Sequence, residues 1–301
     1  MTQVKANNIF LEVETFGDVS QPPVLLITAL SCQLIHWHMD FCQKLADRGY
    51  YVIRFDNRDV GLSTKFHDAG IPNIQEILTS KMNGLNIDLV YDMDDMAQDA
   101  LGVLDALKIK KAHVCGMSMG GMIAQTLAIN HSDRIASLTS IYSTTGNSEL
   151  PPSKPEAIKM VNKRPPAERN AFIEHMVEVY RVFSGNGLAY NREFNAKMAA
   201  QAYDRCYYPE GTGRQFAAIL TQSDRRKQLS KLTIPSLVIH GNDDPLVPIE
   251  CGYDTAVAIP NAKFIPIDGM GHELPVLSNR HWIEIFDHLV MHFNDVKHGI
   301  T

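Results

Sequence analysis

The chain has five cysteines, Cys32, Cys42, Cys115, Cys206 and Cys251, and no two of them form a Cys-X-X-Cys pair. An odd set with that spacing excludes a disulfide framework and a cysteine zinc site, and predicts reduced, mostly buried thiols. No run of about 18 uncharged apolar residues occurs, so a membrane-spanning helix is excluded and no membrane partner is expected. Residues Met1 to Asn8 lack an apolar signal core, which makes a cytoplasmic location the expectation. A basic stripe is missing too: 28 Lys and Arg are scattered among 34 Asp and Glu, for a net charge of −6. Nothing in that pattern neutralises phosphates, so nucleic acid is not an expected partner. Internal repeats and low-complexity tracts are also absent.

What is present is enough apolar material for a full core. With 301 residues and 45% hydrophobic content, the length fits one large α/β domain or a domain carrying an insertion. Ile9 to Phe16 alternates like an edge strand, and Pro23-Val24-Leu25-Leu26-Ile27 and Tyr51-Val52-Ile53-Arg54-Phe55 are continuous apolar runs. A helix pattern from Trp37 to Arg48, ended by Gly49, lies between those runs and makes a parallel β-α-β unit. The alternation continues with a helix over Met93–Leu107, a strand over Ala112–Cys115, a helix over Gly121–Asn130 and a strand over Ile135–Ile141. After Asn147 prolines gather at 151, 152, 155, 165 and 166, followed by helical segments from Ala167 to Phe183 and Asn191 to Tyr203. Strand signal returns at Ile234–Ile239 and Lys263–Ile267, and a helix from Arg280 to Phe293 closes the chain. The expected organisation is therefore an α/β core of residues 1–146 and 232–301, with a helical cap inserted at 147–231 over the carboxyl ends of the strands.

Gly116-Met117-Ser118-Met119-Gly120 stands between the strand at Ala112–Cys115 and the helix that follows. A serine at such a strand-to-helix turn is a nucleophile elbow, in which small residues permit a tight turn and the helix N-terminus faces whatever the hydroxyl attacks. A serine hydroxyl is a weak nucleophile at neutral pH, so it needs a base, and the base needs a carboxylate to fix its tautomer. Of the 12 histidines, His272 is best placed, in the glycine-punctuated loop Asp268-Gly269-Met270-Gly271-His272-Glu273-Leu274-Pro275 past the last strand. For the acid, Asp243 and Asp244 compete in the loop after the penultimate strand. Asp244 precedes Pro245, which fixes the turn, while Asp243 reads equally as a solvated turn or capping residue. Acyl transfer also needs two backbone N–H groups for an oxyanion; the expected donors are Met119, after the serine, and Leu30, in Thr28-Ala29-Leu30-Ser31.

These motifs, with Val52-Ile53-Arg54-Phe55-Asp56-Asn57-Arg58-Asp59-Val60-Gly61-Leu62-Ser63 and Gly269-Met270-Gly271-His272, resemble the α/β-hydrolase superfamily over essentially the whole chain. More narrowly the chain is similar to esterases related to the aclacinomycin methylesterase. The resemblance implies a mostly parallel central sheet flanked by helices, a helical cap, a serine carboxylic-ester hydrolase with Asp244 as the acid, and no metal or organic cofactor. One departure is Thr28-Ala29, where the superfamily often has His-Gly, and Ala29 does not reach positive φ as glycine does.

Other residues admit plainer readings. Arg58 is expected to pin neighbouring loops rather than bind a substrate carboxylate. His36 and His38 are expected as loop and helix-start residues, since no third metal ligand is in reach, with Trp37 or its neighbours at the pocket. Asp92, Asp94, Asp95 and Asp99 are read as helix-capping, solvated groups. Cys115 is read as a buried packing thiol, and Phe172, Met176, Tyr180 and Phe183 at helical spacing are read mainly as core, with some of the stripe facing the substrate. The leading expectation is hydrolysis of a small to medium carboxylic ester through an acyl-enzyme. A lactonase, an aminopeptidase or a carbon–carbon bond hydrolase would use the same three side chains, and a small-molecule receptor on this fold is the alternative from another class.

Overall fold

In the computed structural model, residues 1–185, 190–274 and 279–296 are described. Residues 186–189 of the expected cap, and 275–278 and 297–301 of the expected core, including Pro275 of the histidine loop, lie outside them. The strands are β1 (Thr2–Ala6), β2 (Ile9–Phe16), β3 (Pro23–Ile27), β4 (Tyr51–Phe55), β5 (Ala112–Met117), β6 (Ile135–Ile141), β7 (Ser236–Gly241) and β8 (Lys263–Ile267). They form one sheet in the order β1-β2-β4-β3-β5-β6-β7-β8. The pairs β1–β2 and β2–β4 are antiparallel, and every other pair is parallel.

A strand buried on both faces reads as a continuous apolar run, and β3 shows why. Val24 and Leu26 point to one face and Leu25 and Ile27 to the other, each joining a separate apolar cluster. On the first face lie α1 (Met39–Asp47), with Phe41 and Leu45, and α11 (Arg280–Val296), with Trp282, Phe286 and Phe293. On the second lie α3 (Met93–Ala106) and α4 (Met119–Asn130), with Met96, Val103, Ile123 and Leu127. Helices α2 (Ile74–Met82) and α10 (Ile249–Ala258) complete the set outside the β6–β7 connection.

That connection carries α5 (Pro155–Asn162), α6 (Arg169–Phe183), α7 (Arg192–Arg205), α8 (Pro209–Thr221) and α9 (Arg226–Leu229). Two of these helices were visible in the apolar spacing. α5 and α8 begin with Pro155 and Pro209 in the first turn, a position where the missing N–H costs nothing, so Pro155, one of the gathered prolines, is a helix start. Ile9–Phe16 is not the edge strand: β1 pairs outside it, Thr2 opposite Val13 and Ala6 opposite Ile9. β1 is mostly solvated and polar, so it carries almost no apolar signal. Among the described residues, no helix is long and apolar enough to cross a membrane.

Candidate active site

Ser118 sits between the end of β5 and the start of α4 at φ 54° and ψ −120°. A non-glycine residue there is strained by roughly 1–3 kcal/mol, so the surrounding contacts must hold it. They do so from both sides. The Ser118 amide donates to the Ile141 carbonyl at 2.9 Å, and its carbonyl accepts from Gly121 N at 2.9 Å and Ser143 Oγ at 2.7 Å. A β-carbon at Gly116 would strike the backbone of Gly120, which is why the turn needs glycine on both sides. Met119 is the first residue of α4, and its amide has no acceptor inside the helix.

The loop after β7 delivers Asp244 and the loop after β8 delivers His272. Asp244 Oδ1 accepts from Leu246 N and Val247 N, both at 2.8 Å, and Oδ2 accepts from His272 Nδ1 at 2.7 Å. A carboxylate that is ionised only accepts, so Nδ1 carries the proton and Nε2 is left with a free lone pair. Asp243 does not take this place: its amide donates to the Met270 carbonyl at 3.0 Å, and its Oδ2 is buried without a partner among the described residues. The His272 ring packs 4.3 Å from Tyr142 and 6.0 Å from Phe183, and its amide donates to the Phe183 carbonyl at 2.7 Å. Gly271 lets that approach happen, because a β-carbon there would meet the Phe183 carbonyl oxygen and the Gly185 amide.

After β3 the chain turns over Ala29-Leu30-Ser31-Cys32, closed by Cys32 N donating to the Ala29 carbonyl at 3.1 Å. The left-handed residue of this turn is Ser31, at φ 59°, and Ala29 is not among the positive-φ residues. The Thr28-Ala29 departure therefore places no strain on Ala29; the turn takes its handedness two residues later. Thr28 is held by Asn57, whose Nδ2 donates to the Thr28 carbonyl at 3.2 Å and to its Oγ1 at 3.0 Å.

Ser118, Leu30 and His272 all line one cavity of about 190 Å³. Its walls come from the core loops on one side, with Met117, Tyr142 and Leu274, and from the β6–β7 insertion on the other. The lining is mostly apolar and aromatic. A cavity with such a lining suits an uncharged organic group.

The sequence profile of the alpha/beta hydrolase fold family matches residues 22–277. The chain belongs to the α/β-hydrolase fold family. It is 28% identical over 293 residues to the rhodomycin D methylesterase DauP of Streptomyces sp. (strain C5), covering 91% of this chain and 92% of that one. Rhodomycin D methylesterase DnrP of Streptomyces peucetius is 29% identical over 290 residues, at 90% and 91% coverage. Among solved structures, a mutant of the meta-cleavage product hydrolase CumD of Pseudomonas fluorescens IP01 superposes with a TM-score of 0.74 at 20% identity, over 98% of both chains. The methylesterase likeness read from the motifs is thus matched over nine-tenths of the chain.

Within this α/β hydrolase several residues differ from their expected settings. Phe172, Met176, Tyr180 and Phe183 all line the cavity, so the stripe on α6 is a pocket wall rather than core. Helical spacing reports one apolar face but not whether that face meets protein or an open cavity. Asp99 is not solvated: it is 1% exposed and takes Arg58 Nε at 2.6 Å and Nη2 at 2.8 Å. Asp92 and Asp95 do form the capping box of α3. Arg58 is held in buried hydrogen bonds and does not line the cavity, as expected, but its guanidinium bonds helix α3, at Asp99 and the Asp95 carbonyl, rather than neighbouring loops. Trp37 is fully buried, with its ring tilted against Phe41 and edge-to-face with Trp282, while its neighbour His36 reaches the cavity. His38 caps α1, accepting from Asp40 N at 3.3 Å.

Burial sets the protonation states around the cavity. Desolvation pushes His36 down to about 4 against the opposing help of the Gln33 carbonyl, so the ring is neutral at pH 7. The same effect pushes the Cys32 thiol up to about 12, so it is protonated and unreactive at neutral pH. Tyr142 is raised far above its ordinary value by burial and stays a neutral donor to the Glu273 carbonyl at 3.0 Å. Tyr142, at φ 36°, was not found by sequence reasoning, and neither was Glu273, which accepts from Gly271 N at 3.3 Å and from Asn279 Nδ2 at 2.6 Å. No motif marks either; both are defined by contacts across the fold.

Proposed function

We propose that the protein is a serine hydrolase that cleaves small to medium carboxylic esters through an acyl-enzyme. The observation that carries this reading is the 2.7 Å contact of His272 Nδ1 with Asp244, at a cavity shared with the strained Ser118. Ser118 Oγ attacks the ester carbonyl while His272 Nε2 takes its proton, and Asp244 holds the ring and offsets the imidazolium charge. The amides of Leu30 and Met119 receive the oxyanion of the tetrahedral intermediate. His272 returns the proton to the departing alcohol, and water then attacks the acyl-enzyme by the same route in reverse order of partners. Residues 147–231 act as a helical cap that closes the apolar cavity over the bound ester.

Charge on the walls supports a neutral substrate. Among the described lining residues the one cationic side chain is Lys163, which is exposed, so no buried cation waits for a carboxylate on the substrate. The likeness to two methylesterases supports testing methyl esters first.

The test is turnover of p-nitrophenyl esters from acetate to palmitate, and of methyl esters of bulky apolar acids, by wild type and Ser118→Ala. Labelling by a fluorophosphonate, read by peptide mass spectrometry, locates the nucleophile. Turnover that falls at least roughly a thousandfold in Ser118→Ala, with the label on Ser118, is the expected result. Equal turnover in both proteins removes Ser118 as nucleophile. An inert wild type removes the ester reading and favours a binding role.

A further inference from the structure

The turn that carries Leu30 is held from outside the core. The Ser31 amide donates to Gln215 Oε1 at 2.9 Å, and Gln215 Nε2 donates to the Arg58 carbonyl at 2.7 Å. Gln215 lies on α8, within the β6–β7 insertion, and is fully buried. Both ends of its amide are used, and the roles cannot be exchanged, because Ser31 offers only an N–H and Arg58 only a carbonyl. The helix itself is fixed by the preceding residue. Arg214 Nε and Nη2 reach the two Asp59 carboxylate oxygens at 2.7 and 3.0 Å, with both side chains buried. Asp59 in turn accepts from Tyr91 Oη at 2.8 Å and Phe66 N at 2.8 Å, so α8 is anchored to a rigid part of the core.

Ser31 is the residue whose φ of 59° gives the turn its hand, and its amide plane is the one that follows Leu30. Serine does not hold that conformation by itself, since the left-handed region costs an L-residue about 1 kcal/mol or more. The hydrogen bond to Gln215 stabilises the turn in this form. Loss of that bond would free the Leu30–Ser31 peptide and with it the Ala29–Cys32 turn on which the Leu30 N–H is carried.

We propose that Gln215 is a positioning residue that holds the Leu30 amide in place from the inserted helices, so that the oxyanion hole is complete only when α8 is docked. The proposal rests on the serine hydrolase reading above. A misplacement of about 1 Å in an oxyanion donor is enough to cost up to about a hundredfold in rate, while ground-state binding in the apolar cavity is barely touched.

The experiment compares wild type, Gln215→Met, Gln215→Glu and Ser118→Ala for kcat, KM, thermal midpoint and inhibition by an alkyl boronic acid. The boron accepts Ser118 Oγ and forms a tetrahedral adduct with one oxygen in the oxyanion hole, so its affinity reads the hole directly. Gln215→Met is expected to lower kcat about 10- to 100-fold with KM within about threefold, and to weaken the boronic acid in parallel. Gln215→Glu keeps an oxygen facing Ser31 but turns its second oxygen on the Arg58 carbonyl. It is expected to lose thermal stability while keeping boronic acid affinity within about threefold of wild type. If Gln215→Met keeps wild-type kcat and inhibitor affinity, or Gln215→Glu loses as much affinity as Gln215→Met, the positioning role is wrong. Should Gln215→Met fail to fold, the Gln215→Glu affinity alone decides between these outcomes. Full activity in Ser118→Ala would instead overturn the reading on which the proposal rests.

Discussion

The two sides of the cavity are built on different principles. The side formed by the core loops places its key residues by backbone: Ser118, Ser31 and Tyr142 all have positive φ, Ser118 and Tyr142 fixed by hydrogen bonds to several elements and Ser31 by its bond to Gln215. The side formed by the inserted helices contributes side chains of ordinary helical residues, among them Phe172, Met176 and Tyr180. Between the two runs a seam of charge out of water. Arg205 meets Asp56 at 2.7 Å and Arg214 meets Asp59 at 2.7 Å, with both acids fully buried. Ion pairs within the insertion, such as Arg169 with Asp204 and Arg192 with Glu174, stand in solvent. Strain and buried charge thus belong to the parts where geometry must be fixed, and replaceable apolar bulk to the part that sets fit.

The largest effect should come from the fixed side. Asp244→Asn can still meet His272 Nδ1, but its amide favours the wrong tautomer, leaving Nε2 protonated and unable to act as base. kcat is expected to fall roughly 10⁴-fold with KM little changed, measured on the best p-nitrophenyl ester. A variant with near-normal kcat would mean that His272 is oriented by something other than this carboxylate.

At the seam, Arg214→Leu leaves Asp59 as a buried carboxylate without its main cation. Breaking such a pair costs about 3–5 kcal/mol, which urea unfolding would register as a lowered midpoint. The matching change at the exposed pair, Arg192→Leu, should cost no more than about 1 kcal/mol. Comparable losses at the two sites would abolish the distinction between seam and surface.

His36, where the two sides meet, extends the comparison to pH. Its folded value of about 4 lies below the ordinary 6.5, so as pH falls through 6.5 the unfolded chain takes a proton that the folded chain refuses. The stability present above 6.5 is lost on the way down to about 4, by up to roughly 3 kcal/mol at about 1.4 kcal/mol per unit. His292, also pushed down to about 4 by burial, adds to the same slope. Thermal midpoints of His36→Asn followed from pH 7 to 4.5 should therefore decline less steeply than those of wild type. An identical slope would show that His36 is hydrated in solution.

How much of this could be read from the chain follows the same division. The elbow, the histidine loop and the acid loop were legible because short-range turns need particular residues at fixed spacing, as Gly116 and Gly120 do around Ser118. The parallel strands were legible because burial on both faces makes continuous apolar runs. What stayed hidden depends on long-range contacts. Asp99 reads as one more acid near a helix start until Arg58, 41 residues earlier, is brought against it. β1 is polar and solvated, and it exists because β2 offers it a ladder. The α6 stripe was legible as a face, and only the fold decides that the face looks into a cavity.

The smallest effect should come from that wall. Met176 is half-buried on α6 and lines the cavity. Truncation to alanine removes apolar contact with the substrate without touching the hydrogen bonds of Ser118, Asp244 or Ser31. For a long-chain ester, kcat/KM should drop about 3- to 30-fold, the range set by about one to two methylenes of lost contact, with the change in KM. For the acetate, whose acyl group is a single methyl and offers little apolar surface to the wall, both constants should stay within about twofold. The contrast between the two esters is the measurement. A loss that is equal for acetate and the long ester would place Met176 with the residues that fix geometry, and the two sides of the cavity would no longer differ in kind.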